Sequence, residues 1–124
     1  MCWTREKPGP KNRIARDAVS FAGGTLSVRD LDSSLQVMDV QDTNSMDPTL
    51  DAGNKILVMK ARPDDIQAGD IVVFANPYIL HRITKVGSDG QGRYFQSKGD
   101  NNLFGDSYRW RDHDLMFVVL GVLY

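Results

Sequence analysis

The fold is indicated most clearly by residues 79–97, which read ILHRITKVGSDGQGRYFQS. Over residues 79–86 apolar and polar side chains alternate, which is the pattern of a strand with one buried face. Residues 88–92 are turn formers, and residues 93–97 resume a strand composition, so this stretch predicts a β-hairpin. Because side chains alternate along a strand, one shared face is predicted for Ile79, His81, Ile83 and Lys85.

Four further segments have strand patterns. Residues 35–40 alternate, whereas residues 56–59 and 71–74 are continuous apolar runs that suit strands covered on both faces. Residues 117–124 are rich in β-branched and aromatic side chains, which favour strands. Strands that recur this closely, with little helix between them, predict a mainly β domain of coiled antiparallel sheets.

The N-terminal residues differ from the rest of the chain. Residues 1–24 are predicted to form a basic arm that precedes a domain at 25–124, and a short helix is predicted over residues 12–21, capped by Asn12 and ended by Gly23-Gly24. Chain termini are usually loose, which favours a solvated arm. Contact with nucleic acid, contact with an acidic partner and removal by cleavage remain alternatives. The basic residues of the arm are Arg5, Lys7, Lys11, Arg13 and Arg16.

Composition excludes several classes of protein. The chain has 124 residues, of which 41% are hydrophobic and 25% charged, so it is one soluble globular domain rather than a disordered chain, a collagen-like repeat or a coiled coil. A net charge of −1 argues against nucleic acid as a partner. Cys2 is the only cysteine, which excludes an intramolecular disulfide and a cysteine-built zinc site.

No stretch of the sequence predicts a membrane span or a secretory signal. The longest mainly apolar stretch, residues 115–124, is about half the length that a spanning helix needs. Residues 1–24 begin with basic residues but contain no continuous apolar run. We therefore expect a soluble, cytoplasmic protein.

The first candidate for chemistry is the stretch 42–50, DTNSMDPTL. Pro48 fixes its own φ and biases Asp47 toward an extended shape. Such a turn can hold the hydroxyl of Ser45 clear of the preceding strand, near backbone N–H groups. A serine in a polar turn is also a common turn former or cap, so the motif alone leaves both interpretations open.

Two further segments could complete a site. His81 lies beside isoleucines in a predicted strand, a position that suits either a buried, hydrogen-bonded histidine or a general base. The other histidine, His113, lies in a charged stretch and is predicted to be solvated. Residues 97–107 are rich in Gly, Asp and Asn, as loops are. A loop of this kind can aim a carboxylate at an imidazole, which fixes its tautomer and stabilises the imidazolium.

Together, four ordered segments resemble the type I signal peptidases, whose catalytic fold is shared with the self-cleaving SOS repressors. The resemblance covers about residues 35–124. The segments are 45–50 (SMDPTL), 69–74 (GDIVVF), 81–83 (HRI) and 98–102 (KGDNN), followed by Asp106.

The resemblance implies a role for each matching residue. Ser45 falls on the nucleophile and His81 on the general base, a position that holds lysine in bacterial signal peptidases and in the repressors but histidine in the archaeal and endoplasmic-reticulum branch. An acidic residue six positions after the Asp of Gly-Asp-Asn completes the site in that branch, which points to Asp106, with Asp100 as second choice. A histidine base predicts that activity is lost as the imidazole protonates near its reference pKa of about 6.5.

The same resemblance implies the remaining contacts. The backbone N–H of Ser45 and the hydroxyl of Thr43 are expected to stabilise the oxyanion, although Thr43 also suits a plain turn. Met46 and Pro48 are expected to contact the substrate. No metal or organic cofactor is implied, because the sequence contains no cluster of metal ligands.

These expectations define a soluble serine endopeptidase that acts on a protein or peptide substrate, since no membrane anchor like that of the membrane-bound members is recognised. One alternative is a self-cleaving regulatory protein, for which Ala22-Gly23 is the candidate bond. Another is a catalytically silent binding module that uses the basic arm. The sequence leaves the oligomeric state open, including a homodimer.

Overall fold

A computed structural model describes residues 7–124. Cys2 and Arg5 lie outside the described residues. Within them the chain is mainly β, as predicted, and the helical turns at Arg16–Ala18, Pro63–Asp65 and Asp112–Asp114 are short 3-10 segments. The strands are β1 (Val19–Ala22), β2 (Thr25–Val28), β3 (Gln36–Asp39), β4 (Lys55–Lys60), β5 (Ile71–Phe74), β6 (Ile79–Asp89), β7 (Gly92–Lys98) and β8 (Leu115–Leu123).

The strands form two antiparallel sheets. A six-stranded sheet has the order β3-β4-β8-β5-β6-β7, and β1 and β2 form a separate two-stranded sheet. The predicted hairpin is the β6–β7 pair, although β6 continues to Asp89, into the residues expected to turn. This order places β6 in the interior of the large sheet and leaves β3 and β7 at its edges.

A β-bulge in β6 changes one prediction. Ile83 pairs with Ser97, but Lys85 pairs with Gln96, so two steps along β6 match one step along β7. The bulge therefore turns Lys85 to the opposite face from Ile83, and the predicted shared face ends at Ile83. Lys85 is exposed, with its Nζ 5.8 Å from the centroid of the Tyr94 ring.

The predicted helix over residues 12–21 is wrong. A single 3-10 turn at Arg16–Ala18 leads directly into β1, which pairs with β2. Gly23 and Gly24 form the turn between these strands, with φ values of 56° and 77°, a left-handed region that glycine enters without steric cost. A Gly-Gly pair suits a tight hairpin as well as a helix terminus. Here the pairing of β1 with β2 makes it a hairpin turn.

Part of the basic arm packs against the segment between β4 and β5. The Arg13 guanidinium contacts the carboxylates of Asp65 and Asp70, and a Cβ placed on Gly69 would overlap the Gly9 carbonyl oxygen. The side chain of Arg13 is 6% exposed and that of Asp70 is fully buried. The expectation of a solvated arm therefore does not hold for these residues.

Two clusters of buried apolar side chains support the large sheet. In one cluster, the ring of Trp110 stacks on Phe74 with centroids 4.4 Å apart. In the other cluster, Met46 and Leu50 pack against Ile56. The loop that follows β3 is thereby anchored in the core at two side chains on the C-terminal side of Ser45.

Candidate active site

Ser45 lies in the loop between β3 and β4, where the backbone is held on both sides. Asn44 has a φ of 60°, a left-handed conformation that asparagine tolerates better than most residues. The side-chain amide of Asn101 donates to the Asn44 carbonyl at 3.0 Å, and the Asn101 backbone N–H donates to the Ser45 carbonyl at 2.9 Å. The hydroxyl of Thr43 lies 3.1 Å from Ser45 Oγ. These contacts fix the position of a half-buried serine hydroxyl.

His81 lies in β6 and is 8% exposed. β5 flanks it, since Val72 pairs with His81. Its Nδ1 is 2.6 Å from Oδ2 of Asp106, on the loop that follows β7. An ionised carboxylate only accepts hydrogen bonds, so Nδ1 is the donor in this contact, and in the neutral ring Nε2 is then the nitrogen that can accept a proton.

Asp106 is held by residues to which the sequence analysis assigned no role. Its backbone N–H donates to the Ser97 carbonyl at 2.8 Å, and its Oδ2 accepts the Ser97 hydroxyl at 2.6 Å. The indole N–H of Trp110 donates to Ser97 Oγ at 3.0 Å. A serine at the end of a predicted strand was the only signal in the sequence, and it did not indicate which carboxylate it would meet.

Asp100, the second choice for the orienting acid, pairs with Arg82 instead of His81. Nε and Nη2 of Arg82 each lie 2.8 Å from a carboxylate oxygen of Asp100, and the Thr49 hydroxyl donates to the same carboxylate at 2.8 Å. The hydrogen bonds from Arg82 hold the pKa of Asp100 below its usual range, against the opposing effect of burial. Asp100 thus connects the strand of His81 to the loop of Ser45.

Ser45 and His81 line the same cavity, whose volume is about 690 Å³. Thr43 and Met46 also line it, whereas Pro48 is exposed and is not part of the lining. The cavity wall includes the apolar side chains of Met38, Val40, Ile56, Leu80 and Phe117. A substrate that reaches the serine would therefore contact a mostly apolar surface.

The remaining candidates lie outside this cavity. The side chain of His113 is 82% exposed, as expected for a solvated histidine. Lys98, the first residue of the segment 98–102, is not part of the lining, and its Nζ donates to the Gly99 carbonyl at 3.1 Å. Ala22 and Gly23, which form the candidate bond for self-cleavage, lie at the β1–β2 turn and do not line the cavity.

Gly99 permits a close approach between the loop after β7 and the loop that carries Ser45. A Cβ at this position would lie 2.5 Å from the Ser45 carbonyl oxygen and 2.7 Å from Nδ2 of Asn102. Real Cβ atoms essentially never come this close to another heavy atom, so any other residue here would force the loop after β7 and Ser45 apart.

Two properties of the described residues bear on the class of site. Residues 7–124 contain no group of three or more His, Cys, Asp or Glu side chains that could hold a metal ion. In the same part of the chain, no helix has both the length and the apolar character needed to cross a bilayer.

Comparison with known proteins connects this geometry to one family. The family model described as signal peptidase, peptidase S26, matches residues 33–100, which include Ser45 and His81. Signal peptidase I W of Bacillus subtilis is 36% identical over 83 residues, which make up 64% of this chain and 44% of the relative. The signal peptidase complex catalytic subunit SEC11C of Homo sapiens is 38% identical over 69 residues, which make up 52% of this chain and 36% of the relative.

The match to the family model extends over more than half of the chain, although the chain spans less than half the length of the curated relatives it matches. No solved structure matches the chain. The mainly β fold and the motif at residues 45–50 agree with the match to the family model. The chain belongs to the signal peptidase family, peptidase S26.

Proposed function

We propose that this chain is a serine endopeptidase that hydrolyses a peptide bond in a protein or peptide substrate. Ser45 is the nucleophile, His81 the general base and Asp106 the residue that orients His81. The observation that carries the proposal is the 2.6 Å contact between His81 Nδ1 and Asp106 Oδ2, on a histidine that shares its cavity with Ser45. Membership of the signal peptidase family supports the reaction class.

The residues suit acyl transfer. Ser45 Oγ attacks the carbonyl carbon of the substrate while Nε2 of His81 takes the hydroxyl proton. The C–N bond then breaks, and His81 returns the proton to the leaving amine, which leaves an acyl group on Ser45. Water, activated by the same imidazole, hydrolyses that ester. Asp106 stabilises the imidazolium that forms in both halves of the reaction.

The oxyanion requires hydrogen-bond donors, and two lie beside the nucleophile. The backbone N–H of Ser45 is one, and the Thr43 hydroxyl, 3.1 Å from Ser45 Oγ, is the other. Loss of one such donor typically lowers kcat by about 10²–10³. Substitution of Thr43 by Val, which removes the hydroxyl but keeps the shape, is therefore expected to slow turnover to that extent.

An extended substrate has a place to bind beside the cavity. β3 is at an edge of the large sheet, and its Met38 and Asp39 line the cavity. An edge strand offers unpaired backbone groups to a peptide in extended conformation. Met46, which is buried and lines the cavity next to Ser45, would contact such a substrate.

The test is cleavage of a mixed peptide library, read by mass spectrometry, with the intact mass of the protein followed in the same samples. Cuts made by the wild type are expected to disappear in Ser45→Ala and His81→Ala. His113→Ala is the matched control, because it removes the other histidine of the chain from an exposed position. Cleavage that persists in Ser45→Ala would refute the assignment, and a cut confined to the protein's own residues 1–35 would establish self-processing instead.

A further inference from the structure

Ser97 is fully buried at the end of β7, between Asp106 and Trp110. Its Oγ lies 2.6 Å from Asp106 Oδ2 and 3.0 Å from Trp110 Nε1. The backbone adds a second link, because the Asp106 N–H donates to the Ser97 carbonyl. Oδ2 of Asp106 therefore contacts two side chains at 2.6 Å, Ser97 and His81.

Tryptophan fixes the direction of these hydrogen bonds. An indole N–H can only donate, so Ser97 Oγ accepts from Trp110 and its own proton is left for Asp106. With the Ser97 proton directed at Oδ2, that oxygen acts as an acceptor, and the contact with His81 requires the hydrogen to be on Nδ1. The chain of bonds thus holds Oδ2 as an acceptor beside Nδ1 of His81, the arrangement in which Nε2 of the neutral ring can take a proton.

The donor at the start of this chain is held rigidly by the core. Trp110 is 3% exposed, and its ring lies nearly parallel to that of Phe74, with an interplanar angle of 6°. Its backbone exchanges two hydrogen bonds with Phe95, at 2.9 and 3.0 Å. Because packing on one side and backbone pairing on the other fix the indole, the Ser97 hydroxyl has one favoured orientation.

We propose that Ser97 is a positioning residue that is oriented by Trp110, and that it holds Asp106 against His81 and keeps His81 in the tautomer with its proton on Nδ1. The inference rests on the proposed function, because it assigns a task to the carboxylate that serves the general base. It adds two residues, Ser97 and Trp110, to the groups on which turnover depends.

A purely structural role for Ser97 has different consequences. If the hydroxyl served only to satisfy the buried Trp110 N–H, its loss would lower stability without altering the imidazole of His81. If it positions Asp106, its loss alters the protonation pattern of the imidazole and slows the chemical step. Measurements of tautomer and turnover separate these roles.

The experiment compares Ser97→Ala with Ser97→Thr, which keeps the hydroxyl on a β-branched side chain that suits a strand. On a peptide that the wild type cleaves, Ser97→Ala is expected to lower kcat about 10-fold to 100-fold, the effect of losing a hydrogen bond to a charged group, with little change in KM. Ser97→Thr is expected to restore most of kcat. The ¹⁵N shifts of the His81 ring report the tautomer, and the His113→Gln background leaves His81 as the single histidine of the chain.

Wild-type kcat in Ser97→Ala, or an unchanged His81 tautomer, would overturn the proposal. If Ser97→Ala does not fold, Trp110→Phe removes the indole donor from the same chain of bonds, and an unchanged tautomer there would overturn it equally. Ser45→Ala and Asp106→Asn separate the two proposals. Cleavage retained in either variant refutes the proposed function, whereas cleavage lost in both but retained at the wild-type kcat in Ser97→Ala refutes only the role of Ser97.

Discussion

The guanidinium of Arg82 and the carboxylate of Asp100 form a bidentate ion pair, in which both N–O distances are 2.8 Å. Arg82 directly follows His81, and Asp100 also accepts the hydroxyl of Thr49, from the loop of Ser45. Nη1 of Arg82 donates to the carbonyl of Gly69 at 2.9 Å. The pair therefore joins the strand that carries the candidate base to the loop that carries the candidate nucleophile.

Removing this pair is expected to affect both stability and turnover. Asp100→Ala leaves Arg82 without its partner in a partly buried site, where the side chains are 24% and 17% exposed. We expect a loss of about 2 kcal/mol in the free energy of unfolding, since hydrogen bonds to charged groups contribute about 1.5–3 kcal/mol. We also expect a lower kcat, because the loop of Ser45 loses the hydrogen bond between Thr49 and Asp100. Urea denaturation and peptide cleavage measure the two effects.

Arg62→Ala is the control for this prediction. Arg62 pairs with Asp32 at 3.1 Å, but the two side chains are 63% and 49% exposed. Exposed pairs contribute roughly 0–1 kcal/mol, so this variant should keep nearly all of its stability and turnover. Equal losses in Arg62→Ala and Asp100→Ala would show that the position of the Arg82–Asp100 pair has no special importance.

The stability of the protein should depend on pH through the same carboxylate. Arg82 lowers the pKa of Asp100 in the folded state, so the stabilisation is present above the pKa of the unfolded chain, about 3.9, and is lost as the pH falls through the lower, folded pKa. The free energy of unfolding should therefore decrease as the pH is lowered below about 4. Asp100→Asn should show a shallower decrease. Parallel curves for this variant and the wild type, measured by urea denaturation at each pH, would contradict the prediction.

Gly99 provides a test of how the two loops meet. In Gly99→Ala, the new Cβ would lie 2.5 Å from the Ser45 carbonyl oxygen, so the backbone that carries the candidate nucleophile has to move. We expect kcat to fall at least about 10²-fold, since displacements of about 1 Å in a catalytic site can have that effect. Gly90→Ala is the matched control, because nothing lies within 4 Å of a Cβ there. Equal kcat values in the two variants would show that Ser45 tolerates the displacement.

Local patterns predicted the fold because its strands follow the alternation rule or are continuously apolar. The runs at 56–59 and 71–74 became β4 and β5, which lie in the interior of the sheet. Prediction failed where a second structure fits the same local pattern. Gly23-Gly24 suits either a helix end or a hairpin, and the bulge after Ile83 depends on pairing with β7, which alternation alone does not encode.

Only those residues of the candidate site that lie within recognisable sequence motifs could be predicted. The segments around Ser45 and His81 are contiguous in sequence, so the resemblance identified them directly. Which carboxylate reaches His81 depends on the path of the loop after β7, and the resemblance to the signal peptidases favoured Asp106 without excluding Asp100. Ser97 and Trp110 were missed because their connection to Asp106 is made by side chains that meet only in the folded chain.

The N-terminal arm should contribute to stability through Arg13. Its guanidinium is the charged partner of Asp70, whose side chain is fully buried. Asp70 also accepts hydrogen bonds from the backbone N–H groups of Lys11 and Gln67. Removal of one partner from a buried ion pair typically costs about 3–5 kcal/mol, because the remaining charge loses its compensation. We therefore expect Arg13→Ala to lower the free energy of unfolding by about 3 kcal/mol in urea denaturation.

Arg16→Ala is the matched control for Arg13, since it removes the same charge from an exposed position three residues further along the chain. Substitutions at such sites usually change stability by no more than about 0.5 kcal/mol. If the two variants were equally stable, the contact between Arg13 and Asp70 would not contribute to stability in solution. A loss of stability in Arg13→Ala but not in Arg16→Ala would establish residues 8–13 as part of the folded domain. An arm that was detached from the domain could not neutralise the buried carboxylate of Asp70.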